Sequence, residues 1–147
     1  SRNYGTATTG GVQSGTANNT RWHYLRIDTS SYSGSIGRAV LRLSMTGAKG
    51  STTALAIKAV TSGWSESTIT WNNKATVGDT VIASGSVVGN QTAWYEFDIT
   101  SHVSAQRTGG TNVIDVVVQT TQASSSLVQL SSGEESTSLR PHLVITA

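Results

Sequence analysis

Cysteine is absent from the 147 residues, proline and phenylalanine occur once each, and charged residues make up 12%. Without cysteine there is no disulfide framework, no thiolate zinc site and no thiol nucleophile, and the redox compartment stays open. The charged share is about half the usual one of roughly 25%. Ten basic residues against eight acidic give a formal charge of +2, and the basic ones are scattered. A phosphate-tracking basic stripe is therefore missing, which excludes DNA and RNA as partners. Apolar runs are only a few residues long, far short of the roughly 20 that a membrane-spanning helix needs. No HExxH, GxSxG, GxGxxG or P-loop pattern occurs, and His23, His102 and His142 lie in separate segments. The adjacent pair Glu134 and Glu135 points to opposite faces of any strand and is poorly placed to flank one glycosidic bond. An enzyme is not expected.

In place of charge the chain carries 22 Ser and 22 Thr. A hydroxyl-rich, cysteine-free surface leans toward an extracellular or cell-surface protein. The start at Ser1, without Met or an apolar signal segment, reads as a mature or trimmed product. Period-two alternation bounded by Gly, Ser, Thr and Asn recurs along most of the length, the mark of an all-β fold. Strands are expected at Trp22–Asp28, Ala39–Met45, Ala54–Val60, Thr68–Trp71, Thr80–Ala83, Ala93–Ile99, Asn112–Thr120, Leu127–Ser131 and His142–Ala147. Nine strands in one module over residues 1–147 imply a two-sheet β-sandwich or jelly roll, since a single sheet leaves one apolar face wet. Alternation turns Leu25, Ile27, Leu41, Leu43, Met45, Leu55, Ile57, Tyr95, Phe97, Ile99, Ile114, Val116, Val118, Leu143 and Ile145 inward. After Asp98 a short helical turn runs through TSHVSAQ, with Asp98 or Thr100 as its N-cap and Val103 tucked inward.

The outward residues carry what chemistry there is. A sugar site needs aromatic faces for the C–H side of the ring and directional polar groups for its hydroxyls, with cations added for a uronate. Trp22, Tyr24 and Arg26 face outward on the first predicted strand, with Arg42 and Lys58 outward on later ones. If those strands share one sheet, the five residues form an aromatic and cationic surface. Against this stands a plain structural role, with Arg26 paired to a carboxylate and the rings capping the sheet. Trp94 faces outward beside Glu96 and Asp98 and is a further candidate. Trp64 and Trp71 read as fold plugs: Trp71 shares a face with Ile69, and Trp64, in a loop, seals one end of the sandwich. For metals, Asp79, Glu134 and Glu135 offer oxygen ligands for calcium, but their spacing does not select them and no cofactor is expected. NNT at Asn18 and NQT at Asn90 fit the N-glycosylation pattern.

The order of pieces NYGTATT, YLRID, WSESTITWNN, WYEFDITSHV, LSSGEE and RPHLVITA resembles that of DNRLRE-type modules, part of which form carbohydrate-binding module family 96. The resemblance covers essentially the whole chain. It implies a β-sandwich without catalytic activity and, for some relatives, binding of an acidic polysaccharide such as alginate. Two departures stand out: Gly133 precedes Glu134 where the family has Arg, and the family's extra strand ahead of NYGT has no counterpart before Asn3. A sheet edge left open in that way invites strand complementation by a neighbouring subunit. A structural subunit of an extracellular filament, a homo-polymer joined through that edge, is the rival expectation to glycan binding.

Overall fold

The computed structural model describes the backbone of residues 9–14, 22–47, 52–64, 68, 70, 72–89, 91–120, 124–131 and 140–147, and most of their side chains. Among these residues nine strands and one helix follow in the order β1 (Thr9–Ser14), β2 (His23–Asp28), β3 (Arg38–Thr46), β4 (Thr52–Val60), β5 (Val77–Val88), β6 (Thr92–Asp98), α1 (Thr100–Thr108), β7 (Val113–Thr120), β8 (Ser124–Ser131) and β9 (His142–Thr146). The strands build two antiparallel sheets. One has the order β1-β8-β3-β6 with β9 also paired to β3, and the other has the order β2-β7-β4-β5.

β-Branched residues and period-two alternation explain why these segments extend: β7 reads VIDVVVQT and β4 TTALAIKAV. Their apolar sets meet between the sheets. Leu41, Leu43, Met45 and Phe97 come from one sheet, and Leu25, Leu55, Ile57, Val87, Ile114, Val116 and Val118 from the other, all buried. Each such side chain contributes about 1.5–3 kcal/mol through removal from water. Ile27, Tyr95, Leu143 and Ile145 pack against this core while only partly buried. The ring of Phe97 lies where a Cβ on Gly85 would meet it at 3.0 Å, so the two sheets approach closely there.

Strand β1 is not among the expected ones, β5 is longer than the expected Thr80–Ala83, and two further features differ. Thr68–Trp71 is not a strand where it is described; Asn73 takes the Thr70 N–H and hydroxyl on its Oδ1 and donates to the Thr68 carbonyl, which folds the segment into a turn. Helix α1 starts after Ile99 rather than at a capping side chain. Asp98 still serves its first turn, because its Oδ1 accepts the Thr100 N–H at 3.0 Å. Val103 is buried as expected, and the helix crosses from β6 in one sheet to β7 in the other. Arg107 anchors it by donating to the Thr29 carbonyl at 2.9 Å and the Tyr32 carbonyl at 2.6 Å. No helix of the described residues is long and apolar enough to cross a membrane.

Candidate functional site

The residues expected to form one surface lie on two. Tyr24, Arg26 and Lys58 belong to the four-stranded sheet, with Trp22 just ahead of β2, whereas Arg42 on β3 belongs to the other, as does the separate candidate Trp94 on β6. The assumption of a shared sheet fails because β3 pairs with β6, β8 and β9, not with β2 or β4.

On the four-stranded sheet, register sets Val117 between Tyr24 and Lys58, and Arg26 beside Asp115. Arg26 forks this carboxylate, with Nε to Oδ1 at 2.8 Å and a terminal nitrogen to Oδ2 at 3.3 Å. The β4–β5 connection then folds back over the face. Its neck is closed by the Thr61 N–H on the Thr76 carbonyl and by the Thr76 N–H on the Ser62 hydroxyl. Trp64 sets its ring 5.6 Å from that of Tyr24, and Arg26 lies over the indole at 4.7 Å while donating to the Trp64 carbonyl at 3.0 Å. The Tyr24 hydroxyl donates to the buried Ala75 carbonyl at 3.1 Å, and burial pushes its pKa up to about 12. Lys74 sits 5.5 Å from the Trp22 ring. Val117 and Gln119, outward by parity, are buried. Trp64 is thus a plug on a sheet face and not, as its loop position suggested, a seal at the sandwich end. Trp71 lies outside the described residues.

The five-stranded sheet displays the same residue types on its strands; Val40 and Ser44, outward by parity on β3, are buried, and the Arg42 side chain is 32% exposed against 42% for Arg26. Register places Glu96, Arg42 and His142 in one row across β6, β3 and β9, and Trp94 beside Ser44 in the next. Arg42 lies 4.9 Å from the Trp94 ring centroid, and the His142 ring meets that indole edge-on at 5.1 Å. Arg42 Nε is 3.2 Å from Glu96 Oε1 but forms no aligned hydrogen bond, although it is buried from water. The Glu96 side chain is 57% exposed, so the pair is weakly held and open to exchange. Thr46 and Thr92 share a hydroxyl hydrogen bond of 2.6 Å at the same end. Trp94 supplies a partly buried ring, Arg42 a planar donor fork, Glu96 an acceptor and His142 an imidazole.

His142 and Asp115 escaped the sequence reading, and so did the place of Trp64. Asp115 is legible in retrospect as the lone acid inside a valine run; His142 faces Arg42 only through the β3–β9 pairing, which no local pattern announces. Among the described residues no group of three or more His, Asp or Glu side chains is arranged to hold a metal ion. Glu134, Glu135, Asn18 and Asn90 lie outside the described residues.

A sequence profile described as carbohydrate-binding module family 96 matches residues 1–147. A gellan lyase from a Bacillus species is 30% identical over 95 residues, covering 61% of this chain but 4% of that protein. Among solved structures, a latent aurone synthase (polyphenol oxidase) superposes on 92% of this chain and 28% of its own, with a TM-score of 0.51 at 11% identity, a likeness of fold alone. The profile is that of a non-catalytic binding module and spans the chain from end to end, so this protein belongs to carbohydrate-binding module family 96.

Proposed function

We propose that the chain binds a polysaccharide on the outer face of β3, β6 and β9, with Trp94 as the stacking surface and Arg42, Glu96 and His142 as the polar groups that read the sugar. The observation that carries this is where each indole stands: Trp94 belongs to a strand of the sheet and sits beside Arg42 and His142, whereas the Trp64 loop takes up the Tyr24 ring and the Arg26 donors. A sugar ring laid on Trp94 brings its hydroxyls to Arg42 and Glu96 within hydrogen-bond reach.

The sugar that suits Arg42 is a uronate, because a guanidinium forks a carboxylate, and the loosely held Glu96 gives way to it. A module of this kind works outside the cell, beside a catalytic domain that degrades the same polymer; the partial match to a gellan lyase supports that setting. Affinity electrophoresis through gels containing gellan, alginate or a neutral glucan tests the proposal. Retardation is expected in a uronate-containing gel and is lost in Trp94→Ala and Arg42→Ala. Equal retardation of both variants and the parent chain would place the site elsewhere.

A further inference from the structure

The face just described leads into a cleft. β3 and β6 carry Arg42, Glu96 and Trp94 outward, and by the same parity they carry Arg38 and Asp98. Arg38 lies four residues from Arg42, about 13 Å along an extended strand. At that end the surface opens into a cleft of about 450 Å³, within the size range of small-ligand sites, lined by Gly37, Arg38, Ile82, Asp98, Ser101 and His102 among others. Gly37 borders it where a Cβ would meet the Ala147 backbone at 2.6 Å, so no side chain can project from that position without shifting the chain end.

The geometry points to a second sugar subsite in this cleft, one that takes a neutral, hydroxyl-bearing unit of the same glycan whose uronate unit lies on Trp94 and Arg42. This rests on the proposed glycan-binding face. Arg38 Nε stands 3.7 Å from Asp98 Oδ2, beyond hydrogen-bond range, and both side chains are more than half exposed. Their donors and the second carboxylate oxygen are therefore available to a diol, in which one hydroxyl donates to Asp98 and its neighbour accepts from Arg38. Asp98 Oδ1 is occupied by Thr100, which fixes the direction of Oδ2 and holds the carboxyl below its usual range, hence ionised. Half-burial lowers the pKa of His102, so its ring is a neutral donor and acceptor. Asp98 offsets the Arg38 charge and, tied by Thr100, does not give way as Glu96 does, which favours hydroxyls over a second carboxylate, and the partly exposed Ile82 gives the ring's C–H side an apolar wall. The two positions together select a heteroglycan with acidic and neutral units spaced along one chain, over a pure polyuronate.

The test follows backbone amide and indole NMR signals of the ¹⁵N-labelled chain during titration with a neutral glucan tetrasaccharide and with an oligouronate of the same length. The neutral probe is expected to move the amides of Ser101 and His102, and Arg38→Ala to weaken that response at least tenfold while leaving the oligouronate response at the Trp94 indole intact. Arg38 is the primary variant because Asp98 also supports the start of α1; Asp98→Asn is the second. Cleft amides that ignore the neutral probe, or that respond equally in Arg38→Ala, would overturn the subsite. A Trp94 indole silent to both probes while the cleft responds would overturn the proposed face and leave the cleft standing as a binding site.

Discussion

Each sheet of this sandwich carries on its outer surface a tryptophan, an arginine over its ring and a carboxylate beside the arginine. The distances are nearly equal, 4.7 Å from Arg26 to Trp64 and 4.9 Å from Arg42 to Trp94. The difference is where the indole comes from. Trp94 belongs to a strand of the sheet it stands on, so its ring and Arg42 are presented together. Trp64 belongs to a returning loop, and Arg26 spends its donors on Asp115 and on the Trp64 carbonyl, fastening that loop to the sheet. The same three residue types fasten a loop on one face and stand on strands of the sheet on the other, which teaches that residue type alone does not mark a site.

Exchanging the two tryptophans in turn should give the largest effects. Trp64→Ala is expected to cost about 2–3 kcal/mol of stability in denaturant unfolding, in line with loss of a large packed ring, with glycan retention unchanged once folded. Trp94→Ala should do the reverse, abolishing retention with less than about 1 kcal/mol lost. A fall in stability from Trp94→Ala as large as that from Trp64→Ala would erase the distinction.

Acid sharpens the comparison next, because the covered sheet also holds His23 on the core side of β2. Desolvation lowers its pKa from 6.5 to about 4. Between those values the unfolded chain binds more protons than the folded one, so stability is flat above about pH 6.5 and declines as pH drops toward 4, by about 3 kcal/mol in all. Asp28 and Asp98, held below the usual carboxylate range by Ser30 and Thr100, lose their contribution further down, as pH falls through their folded values. Unfolding midpoints measured at several pH values should show this slope, and His23→Gln should flatten its upper part.

The arginines should separate more gently. Arg26→Ala is expected to lower stability by about 1 kcal/mol, since its pair with Asp115 is half exposed, and to leave binding unchanged. Arg42→Ala should weaken binding about tenfold with little change in the unfolding midpoint. Smallest of all is the salt effect: retention in a uronate gel should decline modestly from low to physiological ionic strength through screening of the exposed Arg42 side, and the stability of the Trp64 face should hold.

The sheets were legible where alternation was strong. In β2, β3, β4, β6 and β7 parity assigned inward and outward residues correctly, because one buried face forbids a register slip. β5 was read as four residues rather than twelve, since ASGS interrupts its apolar pattern, and β1, which reads TGGVQS, has too little pattern to announce itself. The candidate site was less legible for a different reason. Outward direction is local, but which strands lie side by side is set by long-range pairing, and that pairing split Arg42 and Trp94 from Tyr24 and Arg26. Nor does local sequence say that the Trp64 loop returns over its own sheet rather than over the end of the sandwich.

The most direct test of the central contrast is to follow the four tryptophan indole N–H signals of the ¹⁵N-labelled chain while adding the polysaccharide that retards it. The account predicts that the Trp94 signal shifts or broadens first while that of Trp64 stays in place. A moving Trp64 signal with Trp94 unchanged would contradict it and assign the glycan to the other sheet.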